Sequence, residues 1–370
     1  MLKEFRVKGF KNFEKELVFD FSKTRNYNFS ENAIKDGIVK TGLIYGINGS
    51  GKSNLGLAIF DIILHLSEKE KHLELYDNYL NLSSSNIIAK FYYKFKFGND
   101  ILEYEYQKDK PQNLVREVLK INNELISDYN YITNEAELKL EGTENLNKNL
   151  NGNNISFIKY INNNINPEPS TKQFKIKGII STFLKFVDNM LFFASLNGNF
   201  YQGFKKGNGT ISDEIISNGK LKDFENFLKK VGINYNLIEK EVGKEKKIYC
   251  KFKSGEVNFF EIASKGTCSL SLFYSGLIRL NEISFVFIDE FDAFYHVDLA
   301  KIVVEKLLKL NVQAILTTHD TTIMTNDLLR PDCYFVLSEG KIKSLPDLTE
   351  KELRQAHNLE KMYRAGAFNE

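Results

Sequence analysis

The run "TGLIYGINGSGKSNLGLAIFDIILHL" (41–66) constrains the fold more than any other stretch of the chain. "GLIYG" reads as a short buried strand and "SNLGLAIFDIILHLSEKE" as a helix, with a glycine-rich loop between them. Gly46, Gly51, Lys52 and Ser53 fill the pattern G-x-x-x-x-G-K-[ST], in the strand–loop–helix setting that a phosphate-binding loop requires. The glycines let backbone N–H groups approach phosphate oxygens with no Cβ in the way, and the helix N-terminus adds a favourable field. Lys52 is expected to reach the β- and γ-phosphates of a nucleotide, and the Ser53 hydroxyl a Mg²⁺ ion. Asn48, Gly49, Ser50 and Asn54 complete the candidate cradle.

Three later stretches bear on the same chemistry. In "FVFIDE" four apolar residues deliver Asp289 and Glu290 to the C-terminal end of a buried strand, where ligands sit in such sheets. Asp289 is then a candidate for the Mg²⁺ shell and Glu290 for orienting or deprotonating an attacking water, although a solvated strand end has the same letters. "ILTTHD" puts His319 at the end of the next strand, within reach of a γ-phosphate or in a purely structural role. "ASKGTCSLSLFYSGL" gathers Ser264, Gly266 and Thr267 at a helix N-terminus. That is either a second anion site, completing a neighbour's nucleotide site, or a Ser N-cap on a core helix.

The two ends of the chain have α/β character. "LKEFRVKGFKNFEKELVFDFS" reads as two antiparallel strands turning near Gly9–Asn12. "SFVFIDE", "DLAKIVVEKLLKLN" and "VQAILTTHD" form a βαβ unit, which implies parallel strands. Residues 1–90 and 255–370 are therefore expected to form one core, interrupted by an insertion over 91–254. The insertion reads as β-hairpins over 91–130, an exposed Asn-rich loop over 140–170, and a helical part over 172–232, followed by a hairpin turning at Ser254–Gly255. The first helix of that part shows Ile176, Ile180, Phe183, Val187 and Met190 inward, and the second Leu221, Phe224, Leu228 and Val231. Their pattern leaves open a lid or a packing between subunits.

Fifty Lys and Arg against 48 Asp and Glu give no bulk mandate for nucleic acid. The lysines of "FKKGNG" and "GKEKKIYCKFK" read either as phosphate contacts or as solvated surface. Cys250, Cys268 and Cys333 are far apart and form no metal-type grouping, as expected of reduced thiols. With no apolar signal core and no run of membrane-spanning length, the expectation is a cytoplasmic protein without membrane contact.

Taken in order, "GINGSGKSN", "SKGT", "FVFIDEFDAF" and "TTHD" resemble the Walker A, signature, Walker B/D-loop and H-switch of ABC-type ATPases, in their SMC, RecF and OLD branch. The opening "FKNF", followed by a strand, also fits that branch, and the ending "NLEKMYRAGAFNE" resembles the C-terminal tail of the AAA-type ABC ATPases of bacterial abortive-infection and antiphage operons, with the layout of the ATPase subunit of the PARIS system. The resemblance implies an α/β fold: a RecA-like parallel sheet plus an N-terminal antiparallel β lobe, interrupted by the mixed hairpin and helical insertion. It implies ATP and Mg²⁺ as cofactors, Glu290 and His319 as catalytic residues, and a homodimer around an ATP sandwich, able to assemble further. Ser264, Gly266, Thr267 and the D-loop acid Asp292 would act in trans. No Q-loop glutamine is evident; "YLNLSSSN" occupies the expected region. No Glu…Asp-x-Asp cluster follows His319 and no H-N-H constellation occurs, so a TOPRIM-like nuclease effector is expected as a separate polypeptide, answering to a phage-derived trigger. The alternative is a RecF- or SMC-like ATPase of DNA repair or chromosome maintenance that acts directly on DNA.

Overall fold

The computed structural model describes residues 1–69, 71–83, 87–140, 155–194, 200–203, 210–243, 245–279, 282–292 and 297–368. The chain opens with β1 (Leu2–Lys8), β2 (Leu17–Asp20), the small pair β3 (Ile34–Lys35) and β4 (Ile38–Val39), and β5 (Thr41–Tyr45). The glycine-rich loop then leads into α1 (Lys52–Phe60) and the one-turn α2 (Ile63–Leu66). A meander follows: β6 (Ala89–Phe97), β7 (Asp100–Lys110), β8 (Asn113–Ile121), β9 (Glu124–Asn130) and β10 (Glu135–Leu138). Next come α3 (Phe157–Asn164), α4 (Lys172–Asp188), β11 (Met190–Ala194), β12 (Phe200–Gly203), α5 (Ile211–Ser217) and α6 (Leu221–Lys230). A three-stranded sheet of β13 (Leu237–Val242), β14 (Glu245–Phe252) and β15 (Gly255–Asn258) precedes α7 (Phe259–Ile262) and α8 (Lys265–Arg279). The chain closes with β16 (Phe285–Asp289), α9 (Val297–Lys309), β17 (Gln313–Thr317), β18 (Tyr334–Ser338), β19 (Lys341–Ser344) and α10 (Leu359–Arg364).

Two seven-stranded sheets organise these elements. One runs β12-β11-β16-β17-β5-β18-β19, with its five inner strands parallel and its two edges antiparallel. Its β5, β16 and β17 are buried along their whole length, as strands covered on both faces must be. The other is antiparallel, in the order β10-β9-β8-β7-β6-β1-β2. Gln313, at the start of β17, ties the two together: it accepts from Leu2 N at 2.8 Å and donates to Leu2 O at 2.9 Å and Val39 O at 3.1 Å. The fold is mixed α/β with a largely parallel sheet.

The hairpins of 91–130 turn where expected, with Asn122 and Asn123 both at positive φ (51° and 66°). Yet β6 pairs with β1 from Leu2 to Lys8, so these strands continue the N-terminal lobe and are not separate from it. Met190, read as the last inward residue of a helix, lies instead in β11, which runs parallel to β16. Asn189 caps α4, and the fully buried "MLFFA" that follows suits a central strand as well as a helix face. Within the Asn-rich stretch, Phe157, Ile158 and Ile161 are buried on α3, whose N-cap is Ser156; a helix stands where a loop was expected. Residues 141–154, and "FKKGNG" at 204–209, lie outside the described residues. Among the described residues no helix is long and apolar enough to cross a membrane.

Candidate functional site

The loop after β5 lies at the C-terminal end of the parallel sheet, and α1 begins at Lys52 with Gly51 as N-cap. Gly51 has φ 101°, and a Cβ there would fall 2.4 Å from the Asn12 side chain. A Cβ on Gly46 would fall 2.6 Å from both Leu337 O and Ser50 Oγ. Only glycine fits either position. Lys52 is 5% exposed, and its ammonium donates to Gly46 O (2.8 Å) and Ile47 O (3.2 Å). Burial pushes its pKa down, while Glu290 and Asp289 pull it back up, so the two acids lie near enough to be felt. Ser50 Oγ is buried with no hydrogen-bond partner among the described residues, and Ser53 is exposed.

The acids are held by one hydroxyl. Thr317 Oγ1 donates to Asp289 Oδ1 at 2.7 Å and accepts from Glu290 N at 2.7 Å. Glu290 takes φ 48°, a left-handed conformation uncommon for a residue with a side chain. Its Oε1 lies 3.7 Å from His319 Nε2. Asp292 is clasped by the Thr318 hydroxyl of the same chain, and burial pushes its carboxyl up. Ala194 stands opposite Asp289 in register, so β11 delivers its exit beside the acids; residues 195–199 are outside the described set.

Ser264, Gly266 and Thr267 lie on a different element, the start of α8. The Ser264 hydroxyl accepts from Thr267 N at 3.1 Å and sits 2.9 Å from Thr267 Oγ1. It therefore caps this helix, as one of the two sequence readings has it.

Three residues of this region were not singled out from sequence. Asn12, in the turn after β1, accepts from Asn54 Nδ2 at 2.7 Å and seals Gly51 from the N-terminal lobe. With Phe13, Lys15, Asn48, Ser50 and Glu339 it lines a cleft of 560 Å³ beside the loop. Its signal was the polar residue inside "FKNF". Thr317 and Thr318 were visible as hydroxyls in "TTHD", but their partners come from another strand end.

These residues fit a Mg-nucleotide. A hydroxyl with no partner and an ammonium with carbonyl partners alone, among the described residues, and a cradle that has no room for Cβ suit phosphate oxygens. Among the described residues no group of three or more His, Cys, Asp or Glu side chains could hold a metal ion. The Asp289 carboxylate and the Ser53 hydroxyl are oxygen donors of the kind Mg²⁺ takes, and that ion leans on substrate phosphates and water for its remaining ligands.

Residues 43–325 match the family model described as "AAA domain, putative AbiEii toxin, Type IV TA system". The chain belongs to that family. It is an ATPase of the AAA type, and the match runs from β5 through His319, taking in the loop and the Asp289–Glu290 pair. No curated protein matches this AAA-domain chain in sequence. Among solved structures, the SMC head domain from Thermotoga maritima is 15% identical, covering 93% of this chain and 97% of that chain, with a TM-score of 0.44. An SmcHead bound to the C-winged helix domain of ScpA is 18% identical over 93% and 97%, with a TM-score of 0.46. A Smc head domain with an extended coiled coil, bound to the C-terminal domain of ScpA derived from Pyrococcus furiosus, is 14% identical over 98% and 98%, with a TM-score of 0.46.

Proposed function

We propose that the chain is the ATP-hydrolysing sensor or scaffold subunit of an antiphage, abortive-infection system, holding a separate toxic nuclease and releasing or activating it on a phage-derived trigger. Two copies would close around ATP. Lys52 and the loop amides bind the phosphates of one copy's nucleotide; Ser264, Gly266 and Thr267 of the other copy cap it, and Asp292 carries the signal across. Ser53 and Asp289 would hold Mg²⁺, which supplies charge neutralisation at the β- and γ-phosphates. Glu290 orients the attacking water and takes its proton, and His319 donates to the γ-phosphate and steadies Glu290.

The observation that carries the hydrolytic reading is the Thr317 hydroxyl bridging Asp289 and the Glu290 N–H, with Glu290 kept at φ 48° beside His319. Strain of that kind, fixed by its surroundings, belongs to sites whose geometry matters more than their ease of folding. The family's description as an AbiEii-type domain of a toxin–antitoxin system supports a defence role with a partner protein.

The test is Glu290→Gln, expressed with its flanking reading frames and purified in ATP and Mg²⁺. Turnover should fall by about 10²-fold or more, with ATP retained. A nuclease-like protein at stoichiometric yield, without nucleic acid, is the expected co-eluate. DNA with no protein partner would overturn the effector reading in favour of genome maintenance.

A further inference from the structure

Away from the nucleotide site, α6, α8 and α9 meet around one latch. Tyr274 of α8 donates its hydroxyl to Asp223 of α6 at 2.6 Å. Lys306 of α9 lies 3.8 Å from the same carboxylate and over the rings of Phe227 and Tyr274, at 4.9 and 5.0 Å. Asp223 is thus already engaged by a hydroxyl and an ammonium.

Beside the latch runs a groove of 340 Å³. Its floor is apolar, with Ile278 of α8 and Ile302 and Leu310 on and just past α9, all only partly buried. Lys220, Lys230 and Lys309 stand on its rim with no side-chain partner among the described residues, opposed by Glu305 alone once Asp223 is engaged. The volume suits a few side chains of a segment, not a folded domain.

We propose that this groove is the docking site for an acidic, amphipathic segment of a separate protein, its apolar side chains on the isoleucine floor and its carboxylates against Lys220, Lys230 and Lys309. Charge complementarity selects an acidic occupant, because a basic segment would meet like charge on the rim. The apolar floor selects a polypeptide over nucleic acid, since a phosphate backbone would satisfy the lysines and leave Ile278, Ile302 and Leu310 uncovered. The site also explains how a partner could follow the nucleotide. Helix α8 starts just after Ser264, with Gly266 and Thr267 in its first turn, and α9 comes after Asp292 in the chain. A segment seated on both would bias any rearrangement of these helices by its differential affinity for the two arrangements. That step rests on the reading of a partner-controlling ATPase; the binding itself does not.

The experiment uses the full chain without nucleotide, so its outcome is independent of hydrolysis. A bead-displayed random peptide library is selected on the wild-type chain, then on Lys230→Glu/Lys309→Glu, two exposed positions outside the nucleotide machinery. The expected winners carry Asp or Glu interleaved with Leu, Ile or Phe. A synthesised winner should bind the double variant at least about ten-fold more weakly by fluorescence anisotropy. Ile302→Asp should weaken it too, while ATP binding by both variants stays unchanged. Winners without acidic bias, or equal binding to the double variant, would overturn the proposal. A short DNA duplex that binds the wild type and is lost from the double variant, with no peptide selected, would replace the polypeptide with nucleic acid. A change in oligomeric state at those lysines would replace it with a second copy.

Discussion

Helix α1 carries a buried charge at each end, and the two are treated in opposite ways. At its start Lys52 is 5% exposed, and among the described residues its ammonium donates to the carbonyls of Gly46 and Ile47 alone. At its end Asp61 is fully buried, and its carboxylate accepts from Lys108 Nζ (2.6 Å), Tyr106 OH (2.9 Å) and Tyr79 OH (2.9 Å). Burial pushes the Asp61 carboxyl up and the Lys108 ammonium down, and each holds the other's charge in place. The first charge has only backbone carbonyls for hydrogen-bond partners among the described residues, as the proposed role at a phosphate would require; the second is already satisfied by the fold. An interior charge with incomplete partners marks a ligand site, whereas one with complete partners marks structure.

The largest expected effects test that contrast directly. Asp61→Ala leaves Lys108 buried and unpaired, and should cost about 3–5 kcal/mol of unfolding free energy. Asp61→Leu with Lys108→Met should recover part of it, because the pair's desolvation cost disappears with the pair while the Tyr79 hydroxyl loses its acceptor. Lys52→Ala should cost at most about 2 kcal/mol, since it removes one group hydrogen-bonded to two carbonyls, and yet abolish ATP binding. Urea midpoints and nucleotide binding on the three variants decide this. If Lys52→Ala destabilised as much as Asp61→Ala, the two ends would be alike and the contrast would fail.

A smaller effect belongs to the hydroxyl that serves the site without being placed to touch substrate. Thr317→Val keeps the side chain's shape and removes the bridge between Asp289 and the Glu290 N–H. Turnover should drop about 10–100-fold, as for other groups that orient a ligating or catalytic side chain, with ATP affinity nearly unchanged. Thr317→Ser should restore most of the rate. A Val variant with full turnover would mean that Glu290 is held at φ 48° by the strand end alone.

The two ends of α1 also differ in how legible they were. The loop could be read because consecutive residues do its work: the glycines, Lys52 and Ser53 are one local unit whose backbone geometry their own letters dictate. Asp61 and Lys108 find each other across 47 positions, and nothing in either neighbourhood announces the other. The same holds for Asn12 against Gly51 and for Thr317 against Asp289, which depend on strand order and register. Periodicity failed where it carries no information. "MLFFA" is apolar throughout, so joining α4 or the parallel sheet was undecided until its pairing with β16 was known. Composition misled at "NISFIKYINNN", where asparagines mask the three apolar residues that seat α3.

The smallest effect is a pH dependence from the structural end of the helix. His65, on α2, lies with Nε2 2.7 Å from the Tyr104 hydroxyl, which itself donates to Glu117 Oε1 at 2.5 Å. The imidazole is therefore the donor to Tyr104 through Nε2, and its Nδ1 is buried with no hydrogen-bond partner among the described residues. Burial, with Lys108, Lys71 and Lys159 nearby, pushes its pKa well below the ordinary 6.5. The unfolded chain takes up a proton near 6.5 and the folded chain does not, so stability is present above that value and is lost as the pH falls below it. One proton limits the loss to about 1.4 kcal/mol per pH unit. His65→Phe removes that proton and leaves Tyr104 its bond to Glu117. Glu117, whose carboxyl burial raises, contributes in the opposite sense, but it is common to both proteins and cancels in the difference. Urea midpoints should fall more steeply from pH 7 to pH 5 in the wild type than in the variant. Parallel curves would mean that Nδ1 protonates in place, and that the interior around Asp61 and Glu117 admits water after all.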